Sequence, residues 1–140
     1  MAPFLHSLRV RYNECDQQNA VFNANHLVYF DVTITELWRE AFGSYGAMAK
    51  LGVDLVVAEA NIRYLKPAHF DDVLDVALSI ERFGTTSMMT RVQVARDGTP
   101  ITEGVLRYVV IDLKTGGKTP IPDAVRDRLE PYVGRPSDGN

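Results

Sequence analysis

The stretch Arg11-Tyr12-Asn13-Glu14-Cys15-Asp16-Gln17-Gln18-Asn19-Ala20-Val21-Phe22-Asn23-Ala24-Asn25-His26 sets one acidic side chain, Asp16, in a polar loop ahead of an apolar-faced helical pattern. A helix N-terminus carries about half a positive charge and unpaired backbone N–H groups. A carboxylate held near such an end, with room between for a carbonyl group, suits acyl transfer. The carboxylate attacks or activates water while the N–H groups polarise the carbonyl. Cys15 and His26 suggest a second arrangement, a thiol with a histidine base. A lone cysteine at a strand end is more often a small buried hydrophobe, and His26 reads better as a pocket wall or interface residue.

Other candidates lie further along. Glu59 interrupts the apolar run Val56-Val57-Ala58 and Ala60. It reads either as an outward residue on an exposed strand face or as a carboxylate aimed at the site from across a dimer, orienting water or Asn25. Asn61 shares its face through the two-residue spacing of a strand. Lys66-Pro67-Ala68-His69 reads as a strand-ending turn, with Lys66 free to meet a diphosphate. His69, Asp71 and Asp72 lack the further ligands that a metal site needs, so none is expected. Met88 and Met89 read as core and pocket filling.

The elements that must position these groups follow from periodicity. Leu8, Val10 and Tyr12 alternate with Ser7, Arg9 and Arg11 as a half-buried strand. From about Asn25 the period becomes helical, with Leu27, Phe30, Ile34, Leu37, Trp38 and Ala41 on one face and Asp31, Glu36, Arg39 and Glu40 mostly off it. Asn23 or Asn25 can cap the start, and Gly43 can end the helix in the left-handed conformation. Strands follow at Val53 to Leu65, Leu74 to Ile80, Met88 to Val94 and Ile101 to Asp112, with Asp97-Gly98 as a hairpin turn. Pro122 to Tyr132 forms a short terminal helix, and residues 134–140 read as a loose tail on a single domain of residues 1–133. Short links imply antiparallel neighbours, so the order predicts an α+β fold, a curved antiparallel sheet of about five strands around one long central helix. Its open sheet edges favour dimerisation.

Composition narrows the function. The chain has 140 residues, 46% hydrophobic and 24% charged, enough for a self-sufficient core. Its net charge of −3 argues against nucleic acid as main partner. The single cysteine, Cys15, rules out an intrachain disulfide and points to a reducing compartment. The N-terminus Met1-Ala2-Pro3-Phe4-Leu5-His6 lacks the basic and apolar regions of a signal peptide, and no apolar run approaches the ~20 residues of a membrane span. A soluble cytoplasmic protein is expected, with no membrane partner.

Four segments in order resemble the hot-dog fold, and within it the 4-hydroxybenzoyl-CoA thioesterase-like acyl-CoA thioesterases. They are Arg9 to Asp16, Val21 to Asp31, Ile62 to Asp72, and Gly84-Thr85-Thr86-Ser87. The resemblance implies hydrolysis of an acyl-CoA thioester to free acid and coenzyme A, with Asp16 as nucleophile or general base. It implies that the backbone N–H of Asn23 polarises the carbonyl, in a site completed by a partner subunit of a homodimer or a tetramer built as a dimer of dimers. Asn25, His26, Glu59 and Asn61 would then contact substrate. Arg63, Lys66, Arg82, Thr85 and Thr86 would face the coenzyme, since Gly84, Thr85 and Thr86 stand where some members carry basic residues. Coenzyme A is then part of the substrate, and no cofactor is required. Asn19 stands where the family usually has glycine, and asparagine is the next most tolerant of a left-handed backbone. The same fold also hosts acyl-thioester hydratases or dehydratases and could serve as a non-catalytic acyl-CoA binding module. The hydratase chemistry pairs an acid with a histidine, and none follows Asp16 at about the right distance.

Overall fold

Alternation at Phe4–Arg9 gives β1, which buries Phe4 and half-buries His6 and Leu8. In the computed structural model, which describes residues 3–134, this strand stops before the expected Tyr12. The cause is local. The Glu14 carboxylate accepts the Arg11 backbone N–H at 2.7 Å, and Glu14 N–H bonds the Arg11 carbonyl at 3.0 Å. Tyr12–Glu14 therefore winds into one 3₁₀ turn and leaves Tyr12 80% exposed.

The central helix α1 runs Asn25–Phe42 and buries His26, Tyr29, Phe30, Thr33, Ile34, Leu37, Trp38 and Ala41. The stripe begins at His26 rather than at the expected Leu27, which is partly exposed beside Val28 and Val32. Gly43 ends the helix with φ 85°, its N–H on the Arg39 carbonyl at 2.8 Å. Neither asparagine caps the start. Ala24 is the cap residue, and the Asn25 amide instead donates to the Glu14 carbonyl at 2.8 Å.

A short helix α2, Ala47–Lys50, leads into β2 (Val53–Tyr64), β3 (Val73–Phe83), β4 (Ser87–Arg96) and β5 (Thr99–Asp112). These join β1 in one antiparallel sheet of order β1-β3-β4-β5-β2. Asp97 and Gly98 both take positive φ, 49° and 82°, as a tight hairpin between β4 and β5 requires. The inner face presents Leu74, Val76, Leu78, Ile80, Val92, Val94, Ile101 and Leu106 to α1. The last helix, α3, is Asp123–Leu129, followed by a 3₁₀ turn over Glu130–Tyr132. From residue 135 the expected tail lies outside the described residues.

One polar latch closes the end of the sheet near Asp16. Asp72 accepts the His69 backbone N–H at 2.8 Å and the Arg96 guanidinium at 2.7 Å, and Arg96 also holds the Pro67 carbonyl at 3.2 Å. Burial pushes the Asp72 carboxyl up, but the His69 N–H and Arg96 outweigh it and hold the group below its ordinary value. A depressed folded value means that the carboxylate stabilises the fold above the unfolded value, near pH 4, and that this stability is lost as pH falls through the folded value. Arg96→Ala is expected to cost about 1–3 kcal/mol at pH 7. The variant should lose less further stability on acidification than the parent, which urea midpoints at pH 7 and below pH 4 will measure.

Candidate active site

Asp16 sits where the chain doubles back between the 3₁₀ turn and α1. Cys15 and Val21 pair as an isolated antiparallel bridge, as do Ala20 and His69. Asp16 N–H reaches the Ala20 carbonyl at 2.8 Å, and Asp16 Oδ1 accepts the N–H groups of Gln18 at 2.8 Å and Ala20 at 3.3 Å. An aspartate suits this turn because its side chain replaces a backbone acceptor. Asn19 takes φ 61°, so the asparagine supplies the left-handed residue the turn needs. Asp16 is exposed, and its second oxygen, Oδ2, has no partner among the described residues.

The helix entry starts at Phe22, whose N–H is held by the Glu14 carbonyl at 2.9 Å. The N–H groups of Asn25, His26 and Leu27 then reach back to the carbonyls of Phe22, Asn23 and Ala24. Those of Asn23 and Ala24 have no acceptor among the described residues. The Asn23 N–H shares its peptide with the Phe22 carbonyl, which the Asn25 N–H holds at 2.8 Å, and the Tyr64 hydroxyl at 3.0 Å from the Asn23 carbonyl ties the next peptide to the end of β2. A free N–H at a helix start, its own peptide pinned, is a preformed donor for a developing negative charge.

His26 lies inside, its ring edge-on to Tyr29 at 5.8 Å and to Tyr64 at 5.5 Å, with Nδ1 3.3 Å from Thr102 Oγ1. Burial pushes its pKa down, so it is neutral and part of the packing. Burial, followed by the charges of Glu14, Asp16 and Asp72, pushes the Cys15 thiol up and leaves it a poor nucleophile at neutral pH.

Glu14 and Tyr29 were not singled out by sequence reasoning. Tyr29 is 2% exposed, and its hydroxyl donates to Glu14 Oε1 at 2.9 Å. The available signal was a tyrosine on the buried helix stripe, whose hydroxyl must find a partner. Both residues line a groove of about 610 Å³ with Arg11, Tyr12, Val32 and Phe70. Asp16 is not among its lining residues.

The remaining candidates separate. Lys66 follows the Tyr64 end of β2, at the same end of the sheet as Asp16, and is exposed. Glu59 and Asn61 pair with Arg107 and Val105 on the outward sheet face, while Ala60 and Ile62 face inward opposite Leu106 and Gly104. Within one chain Glu59 is thus on the outward sheet face, and a register shift between Val57 and Glu59 sets that face. Arg63 is on the same outward face, paired with Glu103 at 3.1 Å. Arg82, Thr85 and Thr86 lie at the opposite end of β3, whose 11 residues span roughly 35 Å at about 3.3 Å each. One chain does not bring them to Asp16. Met88 is buried in the core, whereas Met89 is half-buried on the outer face.

The described residues contain no helix long and apolar enough to cross a membrane and no acid, histidine or cysteine cluster that could hold a metal. A putative esterase of Aquifex aeolicus (strain VF5) is 27% identical over 128 residues, 91% of this chain and 98% of its own length. A putative acyl-CoA thioesterase of Bacillus subtilis (strain 168), YneP, is 38% identical over 76 residues, 54% of this chain and 55% of its own. The crystal structure of SAV2348 from Staphylococcus aureus, solved in complex with CoA, superposes with a TM-score of 0.87 at 19% identity, covering 97% of this chain and 89% of that one. The family model for the thioesterase-like superfamily matches residues 10–129, from the residue just after β1 to the end of α3. With that match, the loop, the long helix and the sheet behind them make this chain a member of the thioesterase-like superfamily.

Proposed function

We propose that the protein hydrolyses an acyl-CoA thioester, with Asp16 as the acting carboxylate and the Asn23 N–H as the donor to the thioester carbonyl. The observation that carries this reading is a pair of groups left free at one end of the fold. Asp16 Oδ2 and the Asn23 N–H lack partners among the described residues, while the backbone at each is held: the Asp16 N–H on the Ala20 carbonyl, and the Phe22 carbonyl of the Asn23 peptide by the Asn25 N–H. Attack by the carboxylate would give a mixed anhydride and release the thiol. Activation of water would give the acid directly. Both use the same oxygen. The CoA complex of SAV2348 and the name of YneP support coenzyme A as the thiol.

The working unit in this reading is a homodimer, which can pair again as a dimer of dimers. β2 is an edge strand, with Val56 and Val57 exposed on it, and α1 carries Leu27, Val28 and Val32 partly uncovered. Antiparallel pairing of two copies of β2 would set the Val53 end of one beside the Tyr64 end of the other. The partner's 84–86 turn would then approach the Asp16 end and give Thr85, Thr86 and Arg82 a route to the coenzyme beside Lys66. Residues 1–133 would act as one domain. The lone, unpaired Cys15 fits a cytoplasmic setting.

Thiol release across aliphatic and aromatic acyl-CoAs, measured beside Asp16→Asn, tests the reading. Release by the parent and its collapse in the variant are expected. Binding without release would mark an acyl-CoA binding module, and loss of enoyl absorbance without release would mark a hydratase.

A further inference from the structure

We infer that Glu14 is a positioning residue for the thioester hydrolysis proposed above, holding the Asp16 loop and the Asn23 peptide at a fixed separation through its bonds to Tyr29, Phe22 and Asn25. The inference rests on that reading of the site. Glu14 Oε1 accepts both the Arg11 N–H at 2.7 Å and the buried Tyr29 hydroxyl at 2.9 Å. Its carbonyl accepts the Phe22 N–H at 2.9 Å and the Asn25 amide at 2.8 Å, and its N–H bonds the Arg11 carbonyl at 3.0 Å. One residue thereby joins the end of β1, the residue just before Asn23, and the first turns of α1.

The sequence distances give this arrangement its consequence. Asp16 is two residues after Glu14, and Asn23 directly follows Phe22. Loss of the Glu14 bonds would therefore let the carboxylate and its opposing donor shift independently of each other. Tyr29 anchors the hub, because its position is fixed by the core and its hydroxyl would otherwise lose its partner. Burial and the Glu14 carboxylate push the Tyr29 pKa up, so the hydroxyl keeps its proton and stays a donor. An ionised acceptor makes this a charge-assisted bond, stronger than a neutral pair. Misplacement on the order of 1 Å can cost about 10²-fold in rate, which sets the scale expected here.

The test compares steady-state kinetics of thiol release for the parent, Glu14→Ala, Glu14→Gln, Tyr29→Phe and Asp16→Asn, with Leu129→Ala as a stability control from the far end of the sheet. Glu14→Ala should lower kcat by about 10–100-fold with KM within about twofold. Glu14→Gln keeps an oxygen acceptor for both donors and should restore most of the loss. Tyr29→Phe removes only the hydroxyl, folds more safely, and should lower kcat by roughly 3–10-fold. Leu129→Ala should lower the melting temperature and leave kcat near the parent value. A rise in KM at constant kcat would overturn the inference, since it would make Glu14 a substrate contact. Equal losses in Glu14→Ala and Glu14→Gln would overturn it too, because charge rather than placement would then matter. Parent-like kcat in Glu14→Ala and Tyr29→Phe, with Asp16→Asn inactive, would refute positioning while leaving the site reading intact. A fully active Asp16→Asn would remove the reading itself.

Discussion

Replacing Asp16 with asparagine is expected to lower thiol release from the best acyl-CoA by about 10²–10⁴-fold, with a folded protein and little change in melting temperature. The two halves of this expectation come from different oxygens of one side chain. Oδ1 accepts the Gln18 and Ala20 N–H groups and builds the turn. Asparagine retains an acceptor there, so the turn and the Cys15–Val21 bridge survive. Oδ2 is the free oxygen, and asparagine replaces it with an amide that neither attacks a carbonyl nor takes a proton from water. Activity within a few-fold of the parent would remove Asp16 from the chemistry. A single turnover in ¹⁸O-water separates the routes. Hydrolysis of a mixed anhydride at the enzyme carbonyl leaves label in Asp16, whereas activated water delivers it only to the released acid.

Much of this fold is legible because burial alternates at the spacing that local geometry imposes. Leu74, Val76, Leu78 and Ile80 are all fully buried, as their period of two requires. The helix stripe is equally clear from Phe30 to Ala41, and Asn19 takes the left-handed backbone its type allows. What stayed hidden depends on contacts distant in sequence. Leu27 fits the helical period, yet His26 is the residue that turns inward, because Thr102 of β5 and the Tyr64 ring meet it there. β1 stops early because the Glu14 side chain takes the Arg11 N–H, a competition that alternation cannot register. Glu59 could have faced either way, since an edge strand with both sides exposed carries little burial signal, and a register shift beside it moves the face. Asp16 stands out in the sequence as a candidate through its place ahead of the helix, whereas Glu14 does not, although it bonds more of the residues around that loop. Its importance lies in the partners that folding brings to it.

Phe30→Ala should be the most destabilising of the substitutions considered, at about 3–5 kcal/mol. Domains of this kind typically hold only about 5–15 kcal/mol, so the melting temperature should fall by on the order of 10 °C. Phe30 is fully buried at the crossing of α1 over the sheet. There β5 has Gly104, whose backbone comes so close that an added Cβ would lie 2.7 Å from Phe30 Cε2. The sheet can wrap the helix at this point because one side supplies a ring and the other supplies no side chain. Truncating the ring loses its transfer free energy and leaves a cavity that the strand cannot easily close. The complementary change, Gly104→Ala, forces the ring or the strand to move and should cost about 1–3 kcal/mol alone. In the Phe30→Ala background the clash disappears, so the same methyl group should cost nothing or restore stability. Urea unfolding of the four proteins in this double-mutant cycle will report the coupling. Additive costs would show that the two residues do not share the contact. A coupling above about 1 kcal/mol would locate the closure of sheet on helix at this pair, four residues beyond the His26 packing that carries the helix entry and its free N–H groups.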